Sequence, residues 1–243
     1  MKVTFVYPDI LYPHIPSWSG TFYTGIGYLA AVLKKAGHEV SLIHITHPVS
    51  EQAYVEMLGR GAPDLIAFSA TTNMFPYVAL WAQWSKQNLG VPTICGGIHP
   101  TLNPEETIDN SHIDMLCRGE GEEAIVELCG RLERGTTILD IEGLWVREGN
   151  TIHRNKPRRS LRDLDTLPFP DRTVFNHRSL VQSKEGIGIF MASRGCPYDC
   201  SYCCNHALRA LQGQHGGPAV RFRSVDNVIA EVKTVLAEHP YLR

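Results

Sequence analysis

The sequence has no apolar run approaching the roughly 18–20 residues that span a bilayer. Its opening, Met1 to Val6, is too short for the hydrophobic core of a signal peptide and reads as a buried strand of a cytoplasmic protein. Charge of either sign is scarce as a pattern: 23 Lys and Arg stand against 25 Asp and Glu, a net charge of -2 with no basic stripe and no acidic tail. Such a balance argues against nucleic-acid and membrane-surface partners. Internal repeats and low-complexity tracts are missing too. There is no disulfide framework, because the seven cysteines are odd in number and four of them crowd into Cys196 to Cys204, with Cys95, Cys117 and Cys129 scattered. What remains is an ordinary globular composition, 43% hydrophobic and 20% charged over 243 residues, enough for one large domain or two small ones.

Residues 2 to about 135 alternate short β-branched runs with longer amphipathic stretches, the rhythm of βα units around a parallel sheet. Five strands are predicted at Lys2 to Tyr7, Val40 to Ile45, Leu65 to Ala70, Pro92 to Cys95 and Met115 to Cys117. Helices are expected near 25–36, 51–59, 76–89, 104–109 and 121–134. Each strand is followed by Gly, Pro, Ser, Thr or Asn at its carboxyl end, where open α/β sheets bind ligands, and the expected flavodoxin-like (Rossmann-like) order is 2-1-3-4-5. Trp81 and Trp84 lie three apart on a predicted helix and read as packing residues, while Tyr12, Trp18, Phe22 and Tyr23 crowd the first loop, positions suited to core packing, to covering one face of a bound ring or to lining a domain interface.

This first domain is placed at residues 1–140. A β-hairpin with a Gly149-Asn150 turn and a Pro-rich linker follow over 141–182, the linker carrying Leu167-Pro168-Phe169-Pro170-Asp171. A second domain occupies 183–243 and opens with Gly186 to Ala192 as a buried strand.

The strongest chemical signal is Cys196-Pro-Tyr-Asp-Cys200-Ser-Tyr-Cys203, a CxxxCxxC spacing on the loop after that strand. Three thiolates on so short a loop can converge on one soft metal centre, and a [4Fe–4S] cluster, which takes four ligands, would keep one iron open. The alternatives are a structural zinc site with Cys204 or His206 as fourth ligand, and chance clustering of the cysteines with no metal. Cys204 directly follows Cys203, so the two side chains diverge if a helix begins there, and Cys204 reads better as a small buried residue.

The spacing, with the aromatic Tyr202 before its last cysteine, resembles the radical SAM superfamily. That resemblance implies that Cys196, Cys200 and Cys203 hold a [4Fe–4S] cluster whose open iron chelates S-adenosylmethionine. An electron from the cluster would then cleave the C–S bond to a 5′-deoxyadenosyl radical, with Tyr202 beside the adenine. It implies as partners an electron donor such as a flavodoxin or ferredoxin and a small-molecule or peptide substrate.

Gly25-Ile-Gly27-Tyr-Leu-Ala30 matches a dinucleotide fingerprint, yet it lies some seventeen residues past the first strand, and no acidic residue ends the second. Other segments together resemble the cobalamin-binding domain that precedes many radical SAM domains. They are Gly27 to Leu33 with Gly37-His38-Glu39-Val40, then Gly96-Gly97-Ile98-His99-Pro100-Thr101, Pro104-Glu105-Glu106, and Gly119-Glu120-Gly121-Glu122. Glycines let backbone approach a flat corrin and its nucleotide tail, and Ser69, Thr71 and Thr72 offer hydroxyls at the third strand's end.

The candidate cobalamin-contacting residues are thus Ser69, Thr71, Thr72, Gly96, Gly97, His99, Pro100, Gly119, Glu120 and Glu122, the last suited to a helix's first turn. No Asp-x-His-x-x-Gly segment is present to supply a lower cobalt ligand, and His99 reads as a hydrogen-bonding loop residue.

The whole is identified as the N-terminal part of a B12-dependent radical SAM enzyme: a cobalamin-binding α/β domain and the first part of a (β/α) partial barrel. Residues 186–243 number 58 where a full barrel takes about 250, so one or two βα units are expected and the rest would come from a longer chain or a partner. The resemblance implies methyl transfer to an unactivated carbon or phosphorus centre through methylcobalamin. Ring formation or skeletal rearrangement, and a non-catalytic cobalamin carrier or sensor, stay open as alternatives, as does a radical SAM enzyme whose first domain has lost cobalamin.

Overall fold

A computed structural model of the chain describes residues 1–213 and 218–242. Its first half alternates strands and helices: β1 (Lys2–Pro8), α1 (Thr24–Lys35), β2 (Glu39–Ile45), α2 (Glu51–Gly61), β3 (Leu65–Ser69), α3 (Phe75–Asn88), β4 (Thr93–Gly96), the short α4 (Ile98–Leu102) and α5 (Pro104–Asp109), β5 (Met115–Cys117) and α6 (Glu122–Glu133). The strands pair in the order β2-β1-β3-β4-β5, all parallel, as expected. β3 is buried at every position because it lies in the middle of the sheet with helices over both faces.

Alternation of side chains across the strands makes two cores. Val3, Phe5, Leu65, Ala67, Ile94 and Met115 pack against Ile26 and Leu33 of α1 and Ala124 and Leu128 of α6. On the opposite face Val6, Ile66, Phe68 and Cys95 meet Tyr54, Leu58, Val78 and Trp81 of α2 and α3. Trp81, with its ring centroid 5.7 Å from that of Tyr54, is a packing residue, as its spacing predicts. Local signals set the ends of helices: Gly37, at φ +89°, closes α1 with His38 N–H donating to Leu33 O and Gly37 N–H to Lys34 O, each at 3.0 Å, the pattern of a Schellman cap.

Three sequence expectations change. The hairpin, β6 (Leu144–Glu148) and β7 (Thr151–Arg154), is part of the sheet and not a separate linker element: β6 pairs antiparallel with β5, Leu116 opposite Trp145, giving a mixed sheet of seven strands in place of a parallel one of five. β5 would otherwise be an unpaired edge, and an apolar hairpin is one way to cover it.

The strand expected at Gly186 to Ala192 is irregular; the strand there is β8 (Ser193–Gly195), which follows α7 (Val181–Lys184). Apolar alternation makes a buried strand only where neighbours complete its ladder, and β8 finds a single partner, β9 (Val220–Phe222). Because β8 and β9 run antiparallel, with α8 (Asn205–Gly213) between them and α9 (Val225–Glu238) after, they form a ribbon and not the parallel opening of a barrel.

The segment between the sheet and this ribbon packs on α1, as expected of a linker across a boundary. Asp171 N–H donates to Gly27 O at 2.9 Å, and a Cβ at Gly27 would stand 2.9 Å from both Phe22 and Pro170, so the helix and the linker meet through this glycine. A buried ion group ties linker to ribbon: Glu231 of α9, fully buried, accepts from Arg172 at 2.7 Å and also from Arg223. Arg172 spreads over the Phe22 ring at 4.4 Å and donates to Ile189 O at 2.9 Å. Among the described residues no helix is long and apolar enough to cross a membrane.

Two predictions follow from these buried groups. Removing the carboxylate that two buried arginines share leaves both without a counterion, so Glu231→Gln should lower unfolding stability by roughly 3–5 kcal/mol in urea melts. His177 is buried, hydrogen-bonded to the Tyr241 hydroxyl at 3.0 Å and stacked on His239; burial, with the nearby His239 and Arg172, holds its pKa at about 4 against an ordinary 6.5. Below pH 6.5 the unfolded chain takes up a proton that the folded chain refuses, so this stability is complete above pH 6.5 and is lost as pH falls toward 4. His177→Asn, which cannot titrate, should flatten the dependence of Tm on pH across that window in scanning calorimetry.

Candidate functional site

At the carboxyl ends of β1, β3, β4 and β5 the structure opens into a crevice of about 470 Å³, within the size range of small-molecule sites. Parallel strands deliver their following loops to one edge of the sheet, which is why four sequence-distant segments meet here. The floor is apolar, made by Phe5, Ala67 and Ile94 on the sheet face that packs α1 and α6. The far wall comes from the C-terminal ribbon: Met191, Ser193, Arg194, Gly195 and, from α8, Leu208.

Backbone contacts lock the walls. Gly97 stands at φ +102°, and a Cβ on it would meet Ala70 O at 2.7 Å, so only glycine lets the loop after β4 lie against the loop after β3. Ala70 N–H donates to Gly96 O and His99 N–H to Ala70 O, closing that contact from both sides. Thr101 then ties in the third loop: its hydroxyl donates to Gly97 O at 2.7 Å and accepts from Gly119 N–H at 3.1 Å. Gly96 plays a different part. It shares the sheet face of Ile94, and a Cβ there would find its nearest atoms at 3.8 and 4.0 Å, so the absent side chain leaves room in the crevice.

Two polar groups of the lining are held neutral. Burial raises the pKa of Tyr23, more than its hydrogen bond to Ser69 lowers it, and its ring stacks on Tyr7 at 4.9 Å. Burial also pushes the Cys117 thiol up to about 12, with the Glu122 charge adding to the effect. The charged groups of the lining are paired: Glu120 and Glu122 meet Arg194 at 3.1 and 2.5 Å and Glu120 also meets Arg221 at 2.8 Å. Burial tends to raise the Glu120 carboxyl, but the Arg221 hydrogen bonds and the Arg194 and Arg221 charges outweigh it and hold its pKa below the ordinary value.

Of the residues expected at a cofactor site, Ser69, Gly96, Gly97, Gly119, Glu120 and Glu122 line this crevice. Thr71, Thr72, His99 and Pro100 do not. His99 is buried beneath the loop, stacked on Phe75 at 3.9 Å with Nδ1 3.4 Å from Thr72 Oγ1, because α4 turns its ring toward α3 and away from the opening. Thr71 instead donates to Asn73 in the turn before α3.

Tyr202 is 90% exposed and outside the crevice. Cys196, Cys200 and Cys203 are free and half-buried, on the loop that continues directly from the lining residue Gly195. Among the described residues no three Cys, His, Asp or Glu side chains stand close enough to hold a metal ion, so the expected convergence of these thiols is not formed. The loop is held through its backbone, by Cys203 N–H to Cys200 O at 3.1 Å and Arg209 to Pro197 O at 2.9 Å, contacts that leave the thiol directions free. Cys117 and Arg194 belong to the site without having been expected there, while Tyr23 is one of the first-loop aromatics singled out in the sequence and Thr101 ends the Gly96 to Thr101 segment marked there.

The family profile of the B12 binding domain matches residues 22–129, which contain every strand-end loop of the crevice except the first part of the loop after β1. Residues 22–129 are a B12-binding domain. The chain is 28% identical over 218 residues to an uncharacterized methyltransferase of Pyrococcus horikoshii, covering 88% of this chain and 46% of that protein. It is 27% identical over 258 residues to the anaerobic magnesium-protoporphyrin IX monomethyl ester cyclase of Cereibacter sphaeroides, covering 98% and 39%.

Its fold matches the structure of the radical S-adenosylmethionine methyltransferase TsrM from Kitasatospora setae, determined with cobalamin and a [4Fe–4S] cluster bound, at a TM-score of 0.71 and 18% identity over 98% of this chain and 46% of that one. This chain spans less than half the length of these relatives.

The crevice fits a cobalamin arm on its own features: an apolar floor, neutral hydroxyl and thiol groups, and the space that Gly96 leaves open. A side chain placed there should compete with the cofactor without disturbing the fold. Gly96→Leu is therefore expected to keep the far-ultraviolet circular dichroism of the parent while weakening hydroxocobalamin binding at least about tenfold, a loss of roughly 1.4 kcal/mol, in an absorbance titration.

Proposed function

We propose that this chain is the cofactor-binding part of a B12-dependent radical SAM enzyme that transfers a methyl group, with cobalamin in the glycine-walled crevice and a [4Fe–4S] cluster and S-adenosylmethionine at the cysteine loop. One observation carries the reading: Ser193, Arg194 and Gly195, which lead directly into Cys196, form a wall of the same crevice that Gly96, Gly97 and Gly119 line. Two cofactors held by these segments would face a common space.

The residues present divide the work. Gly96 admits the bound cofactor close to the backbone, Gly97 lets the loop after β4 lie against the loop after β3, the apolar floor excludes water, and Tyr23 and Ser69 offer neutral hydrogen-bonding groups. The cluster reading rests on the ligand set, three cysteines of one short loop free of disulfides, which suits iron and sulfide better than a hard cation. Bound cobalamin supplies a carrier for a methyl group, and a cluster with S-adenosylmethionine supplies one-electron chemistry at unactivated positions. An electron donor such as a flavodoxin or ferredoxin and a small-molecule or peptide substrate belong to the same proposal. Ring closure is a second reading, supported by the alignment of 98% of the chain with a cyclase.

Anaerobic reconstitution with iron and sulfide tests the cluster. The chain should retain about four irons and give a paramagnetic signal on reduction, and Cys200→Ala should lose most of both. Two or fewer irons in parent and variant alike, or stoichiometric zinc in their place, would refute it.

A further inference from the structure

The acidic pair after β5 meets arginines where a cofactor contact was expected. β8 and β9 are paired so that Arg194 stands directly opposite Arg221. Like charges facing each other across a two-stranded ribbon destabilise it, and here both guanidinium groups are largely withdrawn from water, with side-chain exposures of 12% and 3%. Glu120 resolves the conflict. One oxygen accepts from Arg194 at 3.1 Å and from Arg221 at 2.8 Å; the other accepts from Arg221 at 2.9 Å and from Leu161 N–H at 2.9 Å. Glu122, at the start of α6, takes the second nitrogen of Arg194 at 2.5 Å, and Arg194 lies over the Tyr28 ring of α1 at 4.9 Å. Two carboxylates thus balance two arginines, and three of the four groups belong to the wall of the crevice.

From this arrangement we infer that Glu120 is a positioning residue: by neutralising the Arg194–Arg221 cross-strand pair it fixes the β8–β9 ribbon, and with it the Cys196 to Cys203 loop, against the cobalamin crevice. Arg194 is two residues from Cys196, so the anchor acts on the base of the cysteine loop. The carboxylate is then a link between two cofactor sites and not a ligand-binding group in its own right. The functional meaning of this link rests on the reading of the crevice and the loop as cofactor sites; the clamp itself does not.

The test measures alkylation of each cysteine by mass spectrometry, alongside hydroxocobalamin affinity, in the full chain. E120Q should speed alkylation of Cys196, Cys200 and Cys203 by about fivefold to tenfold through local opening of the ribbon, while Cys95, Cys117 and Cys129 stay protected. Because the ribbon is a wall of the crevice, any loss of hydroxocobalamin affinity in E120Q should come only together with faster loop alkylation. Adding R221Q removes the opposed charge and should return the rates toward those of the parent, a rescue that loss of packing alone would not show.

Unchanged loop rates in E120Q, or rates as fast in E120Q/R221Q as in E120Q, would overturn the proposal. So would a tenfold loss of cobalamin affinity with unchanged alkylation, which would make Glu120 a cofactor contact. If E120Q exposes the buried cysteines as well, E120D, which keeps the charge, decides the matter: parental loop rates support the clamp, and rates as fast as those of E120Q overturn it. A parent chain that binds no cobalamin defeats the functional reading while the alkylation result still judges the clamp.

Discussion

Parallel pairing of β1, β3, β4 and β5 sends the loops that follow them to one edge of the sheet, and the site depends on how closely those loops can approach one another. The approach is set at Gly97, where backbone lies against Ala70 at a distance that no Cβ would permit, and is extended to the next loop by the Thr101 hydroxyl. Close loops leave the space above Gly96 open and the floor dry. A large cofactor with one narrow arm is suited to a crevice of this shape: apolar at its base, with its charged lining groups paired with one another.

The paired charges of the lining do a second job. Parallel strands alone would leave the C-terminal segment to find its own place, and the ribbon of β8 and β9 is too short to bury much apolar surface. What attaches it is polar: Glu120 and Glu122 with Arg194 and Arg221 at the crevice, and Glu231 with Arg172 and Arg223 deeper in. Buried ionic groups contribute less to net stability than to fixing one arrangement over others, and both groups here join segments far apart in the chain. The cysteine loop is therefore placed by its flanks. Its own thiol directions are left to whatever they bind.

Much of this was legible in the sequence. Alternating apolar runs with turn residues at their carboxyl ends implied a parallel sheet of order 2-1-3-4-5, and the Gly96-Gly97 and Gly119 to Glu122 segments, marked in the sequence as candidate ligand loops, both line the crevice. Pairing partners were less legible, since periodicity reports a buried face and not which edge a strand joins. The hairpin at Leu144 to Arg154 was read as free-standing for that reason, and Gly186 to Ala192 as a strand though no ladder completes it.

Side-chain direction was the least accessible. His99 is a hydrogen-bonding loop residue, as its reading in the sequence had it, but its ring turns toward Phe75 and not the crevice, because a single turn of α4 decides where the ring goes; Glu120 and Glu122 line the crevice and are paired with arginines 72 to 101 residues away.

The central claim is that one crevice is shared by the B12-binding domain and the segment leading to the cysteines. Hydrogen exchange of the full chain with and without hydroxocobalamin tests it most directly. The account predicts slowed exchange at three separate segments together, around Gly96 to Ile98, Gly119 to Glu122 and Arg194 to Gly195. Protection confined to the first two, with the third unchanged at saturating cofactor, would contradict it.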